Sequence, residues 1–307
     1  MPETMRVIAD GPVVLATGFF DGVHLGHRAV LDAAVRSARR RGAAAWALTF
    51  RDHPRAVFDP AGVPALLTSF EQRLDLLRAA GLDGVYPMPF DAATAALPPA
   101  AFAELLHKAF PGLEEVHCGA NWRFGANAAG TPGLLGRLGA RFGFAVAVAP
   151  AVLCKGSPVS STRVRAAVAS GDLPAAGAML GRPFAIRGVV GHGRRVGSEN
   201  GVATANITPR GTILPPTGVY AVSSSLGGAE RAGVADLGWR PTFADARPES
   251  PVLEVHYIDF SGDLYGKTID VAFRRRLRDE RTFPSPEALF AQIRSDIAAA
   301  RKAIGKS

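Results

Sequence analysis

A short apolar run, a glycine-rich turn and a helix start follow one another within residues 13 to 27, VVLATGFFDGVHLGH. The apolar run is typical of a buried strand, and the helical pattern begins at the two histidines. Glycines let backbone N–H groups approach an anion, and a helix start adds unpaired donors and the positive end of its dipole. The stretch therefore predicts a phosphate-binding turn. Its candidate nucleotide-binding and catalytic residues are Gly18, Phe20, Asp21, Gly22, His24, Gly26 and His27.

Strand and helix patterns alternate over the first 180 residues or so. Strands are expected at 13–16, 45–50, 84–86, 116–118 and 144–149, and helices at 28–41, 70–80 and 99–110. Such alternation implies right-handed βαβ units and a parallel sheet covered by helices on both faces. Ligands in these sheets bind at the carboxyl ends of the strands, where the glycine turn lies. Residues 1–181 are therefore predicted to form a Rossmann-like α/β domain.

The pattern changes near residue 181. Short β-rich segments separated by Gly and Pro occur at 184–190, 204–207, 218–224, 232–237, 252–258 and 268–273, and helical periodicity returns at 286–304. Six short strands with such turns favour a small closed β-barrel. Residues 182–307 are therefore predicted to form a six-stranded barrel domain with a C-terminal helix.

Charge and cysteine content restrict the class of protein. The net charge of +8 and the pI of 10.1 come mostly from scattered arginines. No aromatic residues alternate with them as on a base-stacking surface, so a solvated basic surface is favoured and nucleic acid is set aside as a partner. Cys118 and Cys154 cannot build a disulfide framework and are expected to be buried, and neither a signal peptide nor a membrane span is recognisable. These features favour a cytoplasmic protein.

Ordered motifs along nearly the whole chain resemble those of the prokaryotic bifunctional FAD synthetases, which join an FMN adenylyltransferase to a riboflavin kinase. In the first half they are G-x-F-D-G-x-H-x-G-H at 18–27, T-F-x-x-H-P at 49–54, G-x-N-W-R-F-G at 119–125 and S-S-T-x-x-R at 160–165. In the second half they are T-A-N at 204–206, G-V-Y at 218–220, R-P-T-F at 240–243, L-E-V-H at 253–256 and L-Y-G at 264–266. The resemblance implies a riboflavin-kinase-like barrel and synthesis of FMN and then FAD from riboflavin and ATP with Mg²⁺.

In adenylyl transfer the phosphate of FMN attacks the α-phosphorus of ATP, so catalysis can come from positioning and preorganised donors. His24 and His27 are expected on the α-phosphate, where both can donate. Ser161, Thr162 and Arg165 are expected on the other phosphates. The resemblance assigns flavin or nucleotide binding to His53, Asn121 and Arg123.

These residues also have structural alternatives. The histidine pair could be a helix cap, a buried structural pair or part of a zinc site, although no further Cys/His cluster follows at suitable spacing. Ser161 or Thr162 could be a plain N-cap. His53 could be a turn residue before Pro54.

For the kinase half, the resemblance places the base that activates the riboflavin hydroxyl on Glu254. Thr204 and Asn206 alternate on one strand, so they face one side and could share Mg²⁺ and ATP phosphates. The alternative is an ordinary exposed strand residue at Glu254 and an ordinary polar face at Thr204 and Asn206.

Three departures from the family pattern fall in the second half. Ala203 replaces the usual Pro before Thr204, the loop at 191–201 is a residue or two longer, and Asp236 replaces the usual Asn. These departures leave two other functions open. One is a divergent paralogue with only the adenylyltransferase active, or acting on a modified flavin. The other is a non-catalytic flavin-binding regulator, against which the intact His24, His27, Arg165 and Glu254 argue. Small-molecule substrates and a monomer or weak homo-oligomer are expected.

Overall fold

The computed structural model describes residues 7–191, 204–209, 211–239 and 251–305. Its contacts divide the chain into two compact units, Met1–Pro64 with Phe70–Ser161, and Ala65–Ser69 with Thr162–Ser307. Ala203, all of the 191–201 loop after Gly191, and the R-P-T-F motif at 240–243 lie outside the described residues.

The first unit is a parallel sheet with helices. Its strands are β1 Val13–Thr17, β2 Ala44–Phe50, β3 Gly84–Met88, β4 Leu113–Gly119 and β5 Ala145–Ala149, in the order β3-β2-β1-β4-β5. Its helices are α1 Leu25–Arg41, α2 Phe70–Arg78, α3 Ala92–Ala95, α4 Pro99–Ala109 and α5 Pro132–Gly139. A two-stranded hairpin follows, β6 Leu153–Cys154 and β7 Ser157–Pro158. The predicted Rossmann-like fold is confirmed.

The central strand β1 is buried on both faces of the sheet. All five of its residues are buried, and alternate residues belong to different hydrophobic clusters. Val13 and Leu15 pack into one cluster, and Val14 and Ala16 pack into the other with the apolar face of α1. The continuous apolar run in the sequence therefore reflects burial on both faces.

The strand order also locates a crevice. It reverses between β1 and β4, and ligands of open α/β sheets bind at such a switch point, outside the carboxyl ends of the strands. Because all five strands are parallel, the residues that follow each strand lie at one edge of the sheet. The glycine turn follows β1, and residue 121 follows β4.

The second unit is a closed barrel. The strands are β8 Ala185–Gly191, β9 Thr204–Ile207, β10 Gly218–Leu226, β11 Ala229–Gly238, β12 Val252–Tyr257 and β13 Thr268–Arg278, and they close in the order β10-β11-β12-β9-β8-β13. They are preceded by α6 Ser161–Ala169 and α7 Leu173–Leu180 and followed by α8 Pro286–Ile304. Ala300 of α8 packs with Ala221 and Ile258 of the barrel. The predicted barrel and C-terminal helix are confirmed.

The sequence analysis missed several short elements, namely α3, α5, α7 and the β6/β7 hairpin. The expectation for the cysteines holds for Cys118, which is buried, whereas Cys154 is only half-buried. Burial raises the pKa of the Cys118 thiol to about 11. Within the described ranges, no helix combines the length and the apolar character needed to cross a membrane.

Candidate active sites

The glycine turn after β1 is a tight, strained segment. Gly22 has a φ of 80°, and Phe20 and Val23 have φ values of 56° and 37° without being glycine. Such left-handed conformations cost free energy in residues with a side chain, and they cluster at functional sites. The turn is held by a hydrogen bond from the Val23 N–H to the Phe20 carbonyl (3.0 Å) and by burial of the Phe20 ring.

His24 is the N-cap of α1. Its Nδ1 accepts the backbone N–H of His27 at 3.2 Å, as a serine or aspartate oxygen does in most helices. A Cβ at Gly26 would lie 3.2 Å from the His24 ring, so glycine at this position leaves room for the ring over the first turn. Because Nδ1 is an acceptor, the proton of the neutral His24 ring must sit on Nε2. His24 is thereby a preset Nε2–H donor.

His27 stacks on His24. The ring centroids are 3.6 Å apart at an interplanar angle of 15°, and Phe20 contacts His27 edge-on at 5.4 Å. The Nδ1 atom of His27 is buried and has no hydrogen-bond partner among the described residues. Burial, then the charges of His24 and Arg73, hold the pKa of His27 well below 6.5. His27 is therefore neutral at physiological pH.

The zinc alternative finds no support in this geometry. Across the described residues, no group of three or more His, Cys, Asp or Glu side chains is placed to hold a metal ion. In addition, His24 Nδ1 accepts the helix-cap hydrogen bond and is therefore not available to a metal ion. The helix-cap alternative, in contrast, is correct for His24, and it is compatible with a catalytic role because Nε2 is not used by the cap.

The turn is also held from the far end of the first unit. Ser161, the first residue of α6, donates its hydroxyl to the Asp21 carbonyl at 3.0 Å. The structure therefore joins Ser161 to the glycine turn. Thr162 and Arg165 belong to the second unit, where Arg165 Nε donates to the Ala65 carbonyl at 2.8 Å.

The flavin-binding candidates lie at the same edge of the sheet as the glycine turn. His53 follows β2, its ring contacts Phe19 of the turn at 4.9 Å, and its Nδ1 accepts the Arg55 N–H at 3.1 Å. The hydrogen bond to Arg55 fits the turn alternative for His53, and the ring lies beside the glycine turn. Asn121 and Arg123 follow β4 and are exposed, and Arg123 donates to the Trp122 carbonyl.

Sequence reasoning missed two features of this edge. One is Arg73 of α2, a fully buried arginine whose guanidinium carbon lies 4.3 Å from the Phe19 ring centroid. The other is a group of aromatic rings after β2 and β3, in which Phe90 contacts Phe50 at 5.0 Å and Phe58 at 6.3 Å while Phe58 is 68% exposed. A buried arginine amid apolar helical spacing has no distinguishing pattern. The exposed phenylalanine could have been found by its place just after the H-P motif.

The second site lies on the barrel. Thr204 of β9 donates its hydroxyl to Glu254 Oε1 of β12 at 2.9 Å, and Asn206 is the direct cross-strand partner of Glu254. The neighbours Ala205 and Ile207 are buried and point to the other side of β9. The structure thus brings the three kinase candidates together. Their hydroxyl, amide and carboxylate oxygens are the donors that suit Mg²⁺.

Asp236 is a fourth polar residue in this row. On β11 it is directly opposite Glu254, so the order across three strands is Asp236, Glu254, Asn206. A direct cross-strand pair of carboxylates places two like charges side by side. This arrangement follows from the replacement of Asn by Asp noted in the sequence.

Comparison with known proteins identifies both halves. The model of the FAD synthetase family matches residues 8–163, and that of the riboflavin kinase family matches residues 180–304. The bifunctional riboflavin kinase/FMN adenylyltransferase of Pseudomonas fluorescens is 38% identical over 94% of this chain and 92% of its own length. The Bacillus subtilis protein of the same name is 33% identical, over 92% and 90%.

A solved structure has a similar fold over nearly the whole chain. The crystal structure described as a macrolide-efflux protein from Streptococcus pneumoniae matches with a TM-score of 0.83 and 28% sequence identity. The match covers 95% of this chain and 94% of that chain. Together with the two sites, these similarities show that the chain belongs to the bifunctional riboflavin kinase/FMN adenylyltransferase family.

Proposed function

We propose that the chain phosphorylates riboflavin to FMN with its second unit and transfers an adenylyl group from ATP to FMN with its first, giving FAD and pyrophosphate. The observation that carries the proposal is the stacked His24 and His27 pair at the start of α1, beside a glycine turn that Ser161 holds in place. It combines a neutral donor pair with a helix N-terminus, which is what a transferring phosphoryl group requires.

The first unit supplies preorganised donors for adenylyl transfer. Negative charge grows on the α-phosphate oxygens as the FMN phosphate attacks and pyrophosphate leaves. The Nε2–H of His24, whose direction is set by the helix cap, and the neutral ring of His27 donate to those oxygens. Gly18, Gly22 and Gly26 keep the turn open to the phosphates, and Ser161, Thr162 and Arg165 take the β- and γ-phosphates. Mg²⁺ bound with ATP would neutralise part of its charge.

FMN binds at the same edge of the sheet in this proposal. The rings of Phe58 and Phe90 offer an apolar surface for the isoalloxazine, since one of them is exposed and both are planar. His53, Asn121 and Arg123 orient the ribityl phosphate and the nucleotide. The contact between His53 and Phe19 supports this placement, because it joins the end of β2 to the turn that holds ATP.

In the second unit, Glu254 takes the proton from the riboflavin 5′-hydroxyl as that oxygen attacks the γ-phosphate of ATP, and ADP leaves as FMN forms. Thr204 and Asn206 would hold Mg²⁺, which supplies charge neutralisation on the phosphates. The hydrogen bond from Thr204 to Glu254 and the direct pairing of Glu254 with Asn206 support a shared site.

We place the functional boundary at 181/182, with residues 1–181 as the adenylyltransferase and 182–307 as the kinase. The limits of the two family matches, 163 and 180, support a junction in this region. We also propose a cytoplasmic enzyme that acts on ATP, riboflavin and FMN as a monomer or weak homo-oligomer, without nucleic-acid or membrane partners.

A product assay tests the proposal. The purified chain is incubated with Mg²⁺ and ATP and with either riboflavin or FMN, and the products are separated by chromatography. FMN and FAD are expected from riboflavin, and FAD from FMN. Absence of ATP-dependent turnover with both flavins would favour the non-catalytic flavin-binding regulator.

A second candidate is a paralogue in which only the adenylyltransferase is active, or in which a modified flavin is the substrate. The observation that favours it is Asp236 opposite Glu254, since a second carboxylate changes the charge of the site that must hold Glu254 and the ATP phosphates together. In the same assay this candidate makes FAD from FMN and no FMN from riboflavin.

A further inference from the structure

Arg73 is a buried charge that neither the motifs nor the proposed chemistry has used. It lies on α2 and its side chain is fully buried, with no exposed surface. Burying a guanidinium is costly unless its donors are paired. The cost of burying Arg73, at the edge of the sheet where ATP and FMN are proposed to bind, therefore needs an explanation.

Two strand ends converge on this side chain. Nη2 donates to the carbonyls of Phe50 (2.5 Å) and Arg51 (2.7 Å), where β2 ends. The flat guanidinium also lies over the ring of Phe19, in the turn after β1, and the Phe19 carbonyl accepts the Thr49 hydroxyl at 2.9 Å. Arg73 therefore links the ends of β1 and β2.

Packing alone does not account for an arginine here. Its Nε and Nη1 atoms are buried and have no hydrogen-bond partner among the described residues, whereas structural arginines in cores normally have all their donors paired. The pKa of Arg73 falls to about 10 because of burial, and Asp21, Asp52 and Glu71 oppose the fall. Arg73 therefore remains charged at neutral pH.

The charge acts on His27. The groups that contact the His27 ring are His24, stacked on it, and Phe20 at its edge, and the charge of Arg73 also lowers the His27 pKa. A fixed positive charge disfavours protonation of a neighbouring imidazole. Burial of the ring and His24 lower the His27 pKa more than Arg73 does, so Arg73 adds to their effect.

We infer that Arg73 is a positioning residue of the adenylyl-transfer site, which clamps the end of β2 to the turn after β1 and keeps His27 in its neutral, donating form. This inference rests on the proposed role of His27. It separates into a geometric part, which needs the planar fork of arginine, and an electrostatic part, which needs only a positive charge.

Two substitutions separate these parts. Arg73→Lys keeps the charge and loses the fork, so kcat for FAD formation is expected to fall about tenfold or more, with the acid limb of the pH profile unchanged. Arg73→Met loses both, so the acid limb is also expected to move to higher pH by about half a unit or more. Arg78→Gln, an exposed position on the same helix, is the matched control and should match the wild type. Urea unfolding followed by circular dichroism reports whether the first unit of each variant remains folded.

A second measurement does not depend on activity. NMR titration of the ring protons of the seven histidines gives the His27 pKa in each variant. The His27 signal is identified as the one that disappears in His27→Asn. A higher His27 pKa in Arg73→Met than in Arg73→Lys supports the inference, whether or not FAD is formed. Absence of FAD formation by the wild type would count against the proposed function alone. Equal His27 pKa values and wild-type kcat in both variants would overturn it. Loss of folding in both would also overturn it, in favour of a purely structural role.

Discussion

The Nδ1 atom of His24 accepts the backbone N–H of His27 at 3.2 Å, while the two rings stack with their centroids 3.6 Å apart. The His24 side chain therefore caps helix α1 and stacks on the ring of His27. Because the cap uses Nδ1 as an acceptor, the proton of the neutral His24 ring lies on Nε2. Helix capping and the proposed catalytic role, which were alternatives at the level of sequence, would use different nitrogens of the same ring.

Removal of His27 should separate the two activities. His27→Ala is expected to abolish FAD formation and leave riboflavin phosphorylation nearly unchanged, because His27 lies in the first compact unit and the kinase candidates Thr204, Asn206 and Glu254 lie in the second. Chromatographic product analysis with FMN and with riboflavin measures both. His107→Asn, on α4, is the matched control and should retain both activities. Loss of both in a folded His27→Ala protein would contradict the separation.

The cap role of His24 can be distinguished from its catalytic role. His24→Asn keeps an N-cap oxygen and lacks Nε2, so the free energy of unfolding should be no lower than in the wild type while FAD formation is lost. His24→Ala loses the cap as well and should be about 1 kcal/mol less stable than His24→Asn. Urea unfolding and the FAD assay give the two quantities. Wild-type FAD formation in His24→Asn would exclude the Nε2 donor.

The buried, neutral His27 predicts a loss of stability in acid. In the unfolded chain its pKa returns to about 6.5, whereas in the folded protein it is well below that value. As the pH falls below about 6.5, the unfolded state binds a proton at His27 that the folded state does not bind. The free energy of unfolding therefore decreases, by at most about 1.4 kcal/mol per pH unit. His27→Gln should flatten this dependence in urea unfolding between pH 7.5 and 5. Parallel curves for wild type and variant would show that His27 is protonated normally.

Glu254 should control only the kinase reaction. Glu254→Gln removes the proposed base, so riboflavin phosphorylation is expected to fall at least about 100-fold, while FAD formation from FMN continues. Glu287→Gln, in the first turn of α8, is the control for loss of a carboxylate in the same unit. A Glu254→Gln protein with normal kinase activity would return Glu254 to the role of an ordinary polar strand residue.

Local patterns in the sequence determined most of the fold. The apolar run at β1 and the alternation after it predicted a parallel sheet, because a strand buried on both faces needs helices above and below. The six short β segments predicted a barrel, because many short strands must avoid open edges. Elements without strong periodicity, such as α3 and the β6/β7 hairpin, were missed because their few residues leave no measurable pattern.

The motifs also indicated which residues carry the chemistry, since glycine, histidine and helix start are consecutive in the chain. Only the tertiary structure showed that His24 uses Nδ1 as a cap, that Glu254 has Asp236 and Asn206 directly opposite it on neighbouring strands, and that Arg73 lies buried over Phe19. The tautomer of His24 depends on the local fold of the helix start, whereas cross-strand pairing and burial of a charge depend on contacts between residues far apart in the chain, such as Arg73 and Phe19. No local pattern encodes such contacts, so they were decided when the strands and helices packed together.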